Sequence, residues 1–186
     1  FSGMVKEELS RQIGTARHCR IAELAALIGF CGRLEHFPQG EKLKLQTENE
    51  TVARKCFTLL KKTFNIEKEI SVRENSHLKR VKVYVLELSD PEEIREILQA
   101  TKLIADSKFC DTLILQDMLV VQQSCCKRAY IRGAFLASGS ISDPEKGYHF
   151  EIVYPDERKA QQLQTIIRSF SVDAKIVQRK KSYVSM

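Results

Sequence analysis

The stretch AYIRGAFLASGSIS, residues 129–142, begins as a helix and ends as a strand. Ala129, Gly133 and Ala137 recur every four residues, so they line one face of the helical part. An earlier stretch, AELAALIGFCGRLE at residues 22–35, has the same layout, with Ala22, Ala25, Ala26 and Gly29 forming a smooth face. Glycine in mid-helix costs about 1 kcal/mol relative to alanine, so a packing need is expected behind Gly133. One copy alone leaves two explanations open: the smooth face lies on a sheet, or two helix backbones approach closely there.

The two stretches belong to a longer repeat. Gly32 and Gly139 are 107 positions apart, and the same shift lays Cys19 on Cys126, Ala22 on Ala129, Leu45 on Ile152 and Ala53 on Ala160. After a one-residue slip, Phe64 meets Phe170, Ile70 meets Ile176 and Arg73 meets Arg179. Matches in one register over some sixty residues indicate a duplicated unit, and two copies with one smooth face favour packing of the faces on each other about a pseudo-two-fold axis.

Each copy reads as a helix (19–31 and 126–138), two strands (33–37 with 42–47, and 140–142 with 148–154), a second helix (50–63 and 156–169) and two more strands. Gly32 and Gly139 are expected to end the first helix in a left-handed cap. Leu43, Leu45 and Thr47 alternate with Lys42, Lys44 and Gln46, the pattern of a half-buried strand. PQG and DPEKG mark hairpin turns. Asn49 and Asp156 are expected N-caps, and Pro91 opens a third helix, DPEEIREILQA, in the first copy. The expected organisation is a single domain over 1–186, with repeats at about 1–100 and 124–186. A linker helix is expected at about 101–123, on the apolar spacing of DTLILQDMLVVQQS. The second copy ends at Met186 inside its fourth strand, so the expectation is a fragment of a longer chain.

Composition is that of a folded domain, with 43% hydrophobic and 29% charged residues and a net charge of +6. The positive balance permits nucleic-acid binding without establishing it. No stretch approaches the roughly 18 apolar residues of a membrane span, and the charged start does not read as a signal peptide, so a cytoplasmic protein is expected. The six cysteines show no Cys-x-x-Cys spacing and the four histidines are scattered, so they read as reduced core residues with no metal site and no cofactor. His18 beside Cys19 suggests a base and a thiol, but adjacent helical residues face different ways.

A helix ending at glycine and followed by ββαββα resembles the LAGLIDADG homing-endonuclease unit; LAALIGFCG (24–32) and IRGAFLASG (131–139) lie over its nine-residue motif. CRIAELAALIGFCG, LQTENETVARK and CCKRAYIRGAFLASGSISDPE are more closely similar to the WhiA family of bacterial sporulation and cell-division regulators, over essentially all 186 residues. The resemblance implies an α+β fold: a pseudo-two-fold duplicated LAGLIDADG-like architecture of two αββαββα repeats whose antiparallel sheets form a saddle. It also implies a C-terminal helix-turn-helix domain, which nothing in this chain matches.

In the endonucleases, the acid before the last motif glycine holds a catalytic divalent metal. Here those positions are Cys31 and Ser138, and a thiol with a hydroxyl does not suit a hard cation that needs charged oxygen ligands. Glu35 and Asp143 lie farther along the chain. A non-enzymatic descendant of the scaffold is expected: a regulator in cell division, chromosome segregation or sporulation that associates with the nucleoid.

The resemblance places double-stranded DNA on the sheets. Arg73, Lys79, Arg80 and Lys82 cluster in one hairpin, and Arg179, Lys180 and Lys181 in the related one, so the two could contact phosphates on both sides of a duplex. Ordinary solvated hairpins are the competing reading. Contact through this domain alone is expected to be weak, the helix-turn-helix domain supplying most affinity. The alternative is a protein-interaction module that binds another protein or the chain's own C-terminal domain.

Overall fold

A computed structural model describes residues 1–75, 81–105, 112–154, 156–179 and 182–185. Two copies of one unit account for most of it. The first contains α2 (Arg17–Cys31), β1 (Gly32–Phe37), β2 (Gly40–Thr47), α3 (Glu50–Phe64), β3 (Ser71–Asn75), β4 (Val81–Leu88) and α4 (Pro91–Thr101). The second contains α5 (Ser124–Ser138), β7 (Gly139–Ile141), β8 (Phe150–Tyr154), α6 (Glu157–Arg168), β9 (Ile176–Arg179) and β10 (Ser182–Ser185). A short α1 (Ser2–Ser10) precedes them. Each copy holds a four-stranded antiparallel sheet, in the orders β1-β2-β4-β3 and β7-β8-β10-β9.

Local chemistry sets the helix starts. The side chains of Asn49, Asp90 and Asp156 accept hydrogen bonds from the amides of Thr51, Glu92 and Arg158 at 2.8–2.9 Å, each satisfying an otherwise unpaired N–H of the first turn. The ends of the central helices differ from expectation. Gly32 and Gly139 are extended, with φ of −100° and −87°. Glycine is needed there for space: a Cβ on Gly32 would lie 2.9 Å from Leu45 Cδ2, and one on Gly139 would lie 2.7 Å from the Phe135 carbonyl oxygen. Each helix runs directly into the first strand of its sheet, a join too tight for a side chain.

Among the described residues, the central helices α2 and α5 share the most extensive contact between elements. Ala22, Ala129 and Cys126 form one buried cluster between them. Lower down, Gly133 meets the α2 backbone: a Cβ there would stand 2.6 Å from Glu23 O and 2.9 Å from Ala26 Cβ. Ala137 is half-buried against the main core. Gly29 departs from the expected helix-helix face. Its missing Cβ would point at Leu113 O (3.7 Å) and Leu103 Cδ2 (3.9 Å), because residue 29 has rotated off the α5 stripe towards the segment that joins the copies.

That segment is the second departure. Within 101–123 the described residues form a hairpin, β5 (Leu103–Ala105) with β6 (Leu113–Leu115), and then a 3-10 turn at Leu119–Val121. Leu113, Ile114 and Leu115 are all buried. A three-residue apolar run covered on both sides suits a strand, and spacing alone does not separate it from a helical face. Asp117 then accepts from Leu119 N at 2.9 Å and starts the 3-10 turn. No helix among the described residues is long and apolar enough to cross a membrane.

Candidate nucleic-acid interface

Strand register sorts the basic residues by face, since directly opposed residues in an antiparallel pair project to the same side. In the first copy, Leu43 opposes Leu34 and Leu88, and Leu45 opposes Leu86, so these side chains form the face against the helices. The outer face carries the alternate residues: Arg33, Glu35, Lys42, Lys44, Gln46, Glu87, Val83 and Arg73. In the second copy the same parity brings Ser140, Glu151, Val153, Val184, Val177 and Arg179 to the outer face. Arg73 and Arg179 therefore occupy related places on the two sheets.

The other hairpin residues divide differently. Lys82 opposes Glu74, not Arg73, and lies on the helix side of the first sheet. Arg73 and Lys82 cannot act as one phosphate clamp, because the pleat sends them to opposite sides. Lys79, Arg80, Lys180 and Lys181 lie outside the described residues.

Several outer-face cations are already neutralised. Lys42 Nζ is 3.1 Å from Glu87 Oε1, Lys44 Nζ is 4.0 Å from Glu35 Oε1, and Arg179 Nη1 donates to Glu151 Oε2 at 3.1 Å. His149 also hydrogen-bonds Glu151, and with Arg179 it holds that carboxyl below its ordinary range. Arg33 and Arg73 are exposed, with no ion pair among the described residues. Among the described residues of the two outer faces, the first copy thus presents more uncompensated positive charge than the second.

At the tip of α2, beside the first sheet, a cavity of about 270 Å³ is lined by Cys31, Arg33, Glu35, Lys44 and Lys159 among others. Lys159 comes from α6 of the other copy. It is buried, donates from Nζ to the Gly29 carbonyl and lies 5.9 Å from the centre of the Phe30 ring. Burial is the main cause that lowers its pKa to about 8. Burial also pushes the Cys31 thiol up to about 12, against the pull of Lys6 and Lys159. At the corresponding tip of α5, Ser138 Oγ is buried without a hydrogen-bond partner among the described residues. Asp143 is occupied in its own turn, accepting from Glu145 N at 3.0 Å. The α2 tip therefore sets Arg33 and Lys159 beside the Lys44–Glu35 pair, a net positive surrounding fitted to an anion. Strand alternation with Lys42 and Lys44 could have identified Arg33 from sequence. Lys159 had no such signal, since its position reads as one more polar residue of an amphipathic helix.

Two family descriptions match the chain, the WhiA N-terminal LAGLIDADG-like domain over residues 17–104 and the WhiA LAGLIDADG-like domain over residues 127–186. The chain belongs to the WhiA family. It is 52% identical over 185 residues to the probable cell division protein WhiA of Lachnoclostridium phytofermentans, covering 99% of this chain and 59% of that protein. It is 40% identical over 187 residues to that of Alkaliphilus oremlandii, covering 99% and 58%. The chain thus spans less than two thirds of these WhiA relatives. Among solved structures, the N-terminal LAGLIDADG domain of WhiA superposes with a TM-score of 0.69 at 21% identity, over 100% of this chain and 82% of that one. The homing endonuclease I-DmoI, in complex with DNA and Mn, superposes at 0.61 and 12% identity, over 91% and 89%. The WhiA fold is thus shared with LAGLIDADG endonucleases, and the α+β duplicated architecture that the resemblance implied is the architecture found.

A second constellation lies at the opposite, N-terminal ends of the two central helices of this WhiA chain. His18, Cys19, Cys125 and Cys126 converge there, and their ligand atoms all lie within 4.8 Å of one another. His18 Nε2 is 3.5 Å from Cys125 Sγ. The Cys19 thiol is raised by burial and by Cys125, and Cys126 is pushed up to about 12 by burial and its thiol neighbours. The absence of Cys-x-x-Cys spacing hides these residues in the sequence. The signal present was the duplication, whose 107-residue shift places Cys125 on His18 and Cys126 on Cys19.

Proposed function

We propose that the chain is the non-catalytic N-terminal part of a DNA-binding transcriptional regulator in cell division, chromosome segregation or sporulation, working on the nucleoid in the cytoplasm. The observation that carries this reading is the α2 tip, where Arg33 and Lys159 stand with the Lys44–Glu35 pair around Cys31, at the position of the endonucleases' metal-binding acid, beside a sheet whose outer face also carries the exposed Arg73. A carboxylate pair would bind divalent metal for hydrolysis. Cys31 and Ser138 supply no charged oxygen, while the surrounding cations favour a phosphate bound but uncut. The names of the relatives, probable cell division proteins, support the cellular role.

Internal pairing of Lys42, Lys44 and Arg179 leaves few cations for phosphate. Contact with double-stranded DNA through this domain is therefore weak and salt-sensitive. The C-terminal helix-turn-helix domain implied by family resemblance acts as its partner and supplies the sequence reading. The same pairing favours a second reading, a surface that binds another protein or the chain's own C-terminal domain.

Fluorescence anisotropy of a labelled duplex against the chain at several salt concentrations tests the proposal. Affinity should fall steeply with salt, and Arg33→Glu with Arg73→Glu should reduce it further. Plasmid incubated with Mg²⁺ or Mn²⁺ should stay intact. Tight binding that persists in high salt, binding indifferent to both reversals, or cleavage would each contradict it.

A further inference from the structure

We propose that His18, Cys19, Cys125 and Cys126 form a closed Cys3His site for Zn(II), which ties the two copies together at the N-terminal ends of α2 and α5. The donor set is suited to this ion. Three sulfurs and an imidazole are the soft and borderline ligands that zinc takes in tetrahedral structural sites, and all four positions are filled by protein.

The distances fit. Zinc bonds of about 2.3 Å to sulfur and about 2.0–2.1 Å to nitrogen imply ligand-to-ligand edges of about 3.5–3.8 Å in a tetrahedron. The His18–Cys125 separation is 3.5 Å, and no pair of ligand atoms exceeds 4.8 Å. The largest edge therefore needs to close by about 1 Å, within reach of side-chain rotation. The exposed His18 and the half-buried Cys19 and Cys125 give an ion a way in, and Cys126 forms the buried floor.

The fold explains how adjacent residues serve as ligand pairs. His18 and Cys19 are the second and third residues of α2; Cys125 and Cys126 are the second and third of α5. Directly beneath, Ala22 and Ala129 let the helices touch, so both first turns present their ligands to one point. Because the pairs are related by the repeat, the pseudo-two-fold axis passes through the site. Neither helix has a side-chain N-cap or an acid in its first turn. Thiolates there would complement two uncapped N-termini, an anion-stabilising setting for cysteine.

Cobalt(II) titration of the reduced, metal-free chain under anaerobic conditions tests the site. The expected result is the intense visible spectrum of tetrahedral cobalt with a sulfur-to-metal charge-transfer band, saturating at one ion per chain and bleached by added Zn(II). His18→Ala, at an exposed position, should keep the circular dichroism of the parent. It should weaken cobalt binding by more than the roughly 10–100-fold that follows loss of an outer-shell partner. Cys19→Ser with Cys125→Ser should abolish the charge-transfer band. A pale octahedral cobalt spectrum in the parent chain, or a tetrahedral spectrum unchanged in the double variant, would overturn the assignment.

Discussion

Arg132 Nη2, on α5, donates to Glu23 Oε2, on α2, at 3.0 Å, so a charged hydrogen bond crosses the helix pair where the backbones are closest. Glu23 is completely buried, and its other oxygen lies 3.0 Å from the equally buried Lys55 Nζ. The geometry of that second contact is that of an ion pair, because Glu23 Oε1 accepts no well-angled hydrogen bond. Lys55 instead directs protons to the carbonyls of Leu9 and Gln12, which fastens α1 and the loop after it to the core. One carboxylate thus joins α2, α3 and α5.

Glu23→Ala is expected to cost about 3–5 kcal/mol in denaturant unfolding, because it leaves the Lys55 ammonium buried without a counter-charge. The double replacement Glu23→Leu with Lys55→Met removes both charges and should recover much of that loss. A double variant no more stable than Glu23→Ala would show that the loss comes from packing or from the Leu9 and Gln12 carbonyls that Lys55 holds, and not from an unpaired charge.

The two mid-helix glycines should respond in opposite ways to alanine. At Gly133 the added methyl meets the Glu23 carbonyl and Ala26, so Gly133→Ala should destabilise by about 1–3 kcal/mol through overpacking. At Gly29 the nearest atom is 3.7 Å away, an ordinary contact. Gly29→Ala should therefore gain about 0.5–1 kcal/mol from helix propensity. Equal destabilisation at both sites would mean that Gly29 also lies against a backbone.

Gly133 and Gly29 also illustrate what a sequence of this kind discloses. The alternation of Leu43 and Leu45 with lysines, the caps Asn49 and Asp156, and the i, i+4 alanines of α5 are local patterns, and each was readable. Gly29 looked equivalent to Gly133 because both punctuate a smooth face; which neighbour fills each face depends on helix rotation in the assembled pair. The linker hairpin escaped for a related reason, since three buried residues, Leu113 to Leu115, carry too short a period to declare a strand. The basic hairpins pooled Arg73 with Lys82 because composition ignores the parity of the pleat. The cysteine and histidine cluster joins residues 107 apart, and only the contact of α2 with α5 makes them neighbours. Glu23, one acid in an apolar helix, gave no sign of its two partners.

Lys159 should leave a mark on stability as a function of pH. Burial disfavours its ammonium in the folded chain and lowers the pKa to about 8, whereas the unfolded side chain titrates at about 10.4. Between those values the unfolded side chain binds more protons than the folded one, so the contribution of Lys159 to stability should rise with pH across this window, its penalty being fully present below about pH 8. Lys159→Met removes the titrating group, so the parent's unfolding free energy should gain on the variant's as pH rises through this window. Lys55, lowered by burial, and the thiols of Cys19, Cys31 and Cys126, raised by burial, leave opposing residual slopes in both proteins. The difference between the two curves therefore isolates Lys159; parallel curves would mean that its ammonium is hydrated in the folded chain.

The parity of β3 and β4 makes the sharpest prediction about nucleic acid. Arg73 opposes Val83 on the outer face of the first sheet, whereas Lys82 opposes Glu74 on the helix side. Both residues are exposed, basic and part of the same hairpin, so a diffuse attraction to net positive charge would weaken alike on reversing either. A duplex lying on the outer face distinguishes them. Arg73→Glu should lower affinity and reduce the slope of log K against log salt by about 0.9, the release of roughly one phosphate's counterion. Lys82→Glu should leave that slope unchanged and alter affinity only through the long-range field, an effect that fades once salt shortens the Debye length to about 8 Å at 0.15 M. Anisotropy titrations of both variants across a salt series measure the two slopes directly. Matching losses would place the duplex elsewhere, or nowhere in particular, since only docking on the outer face makes adjacent strands of one hairpin unequal.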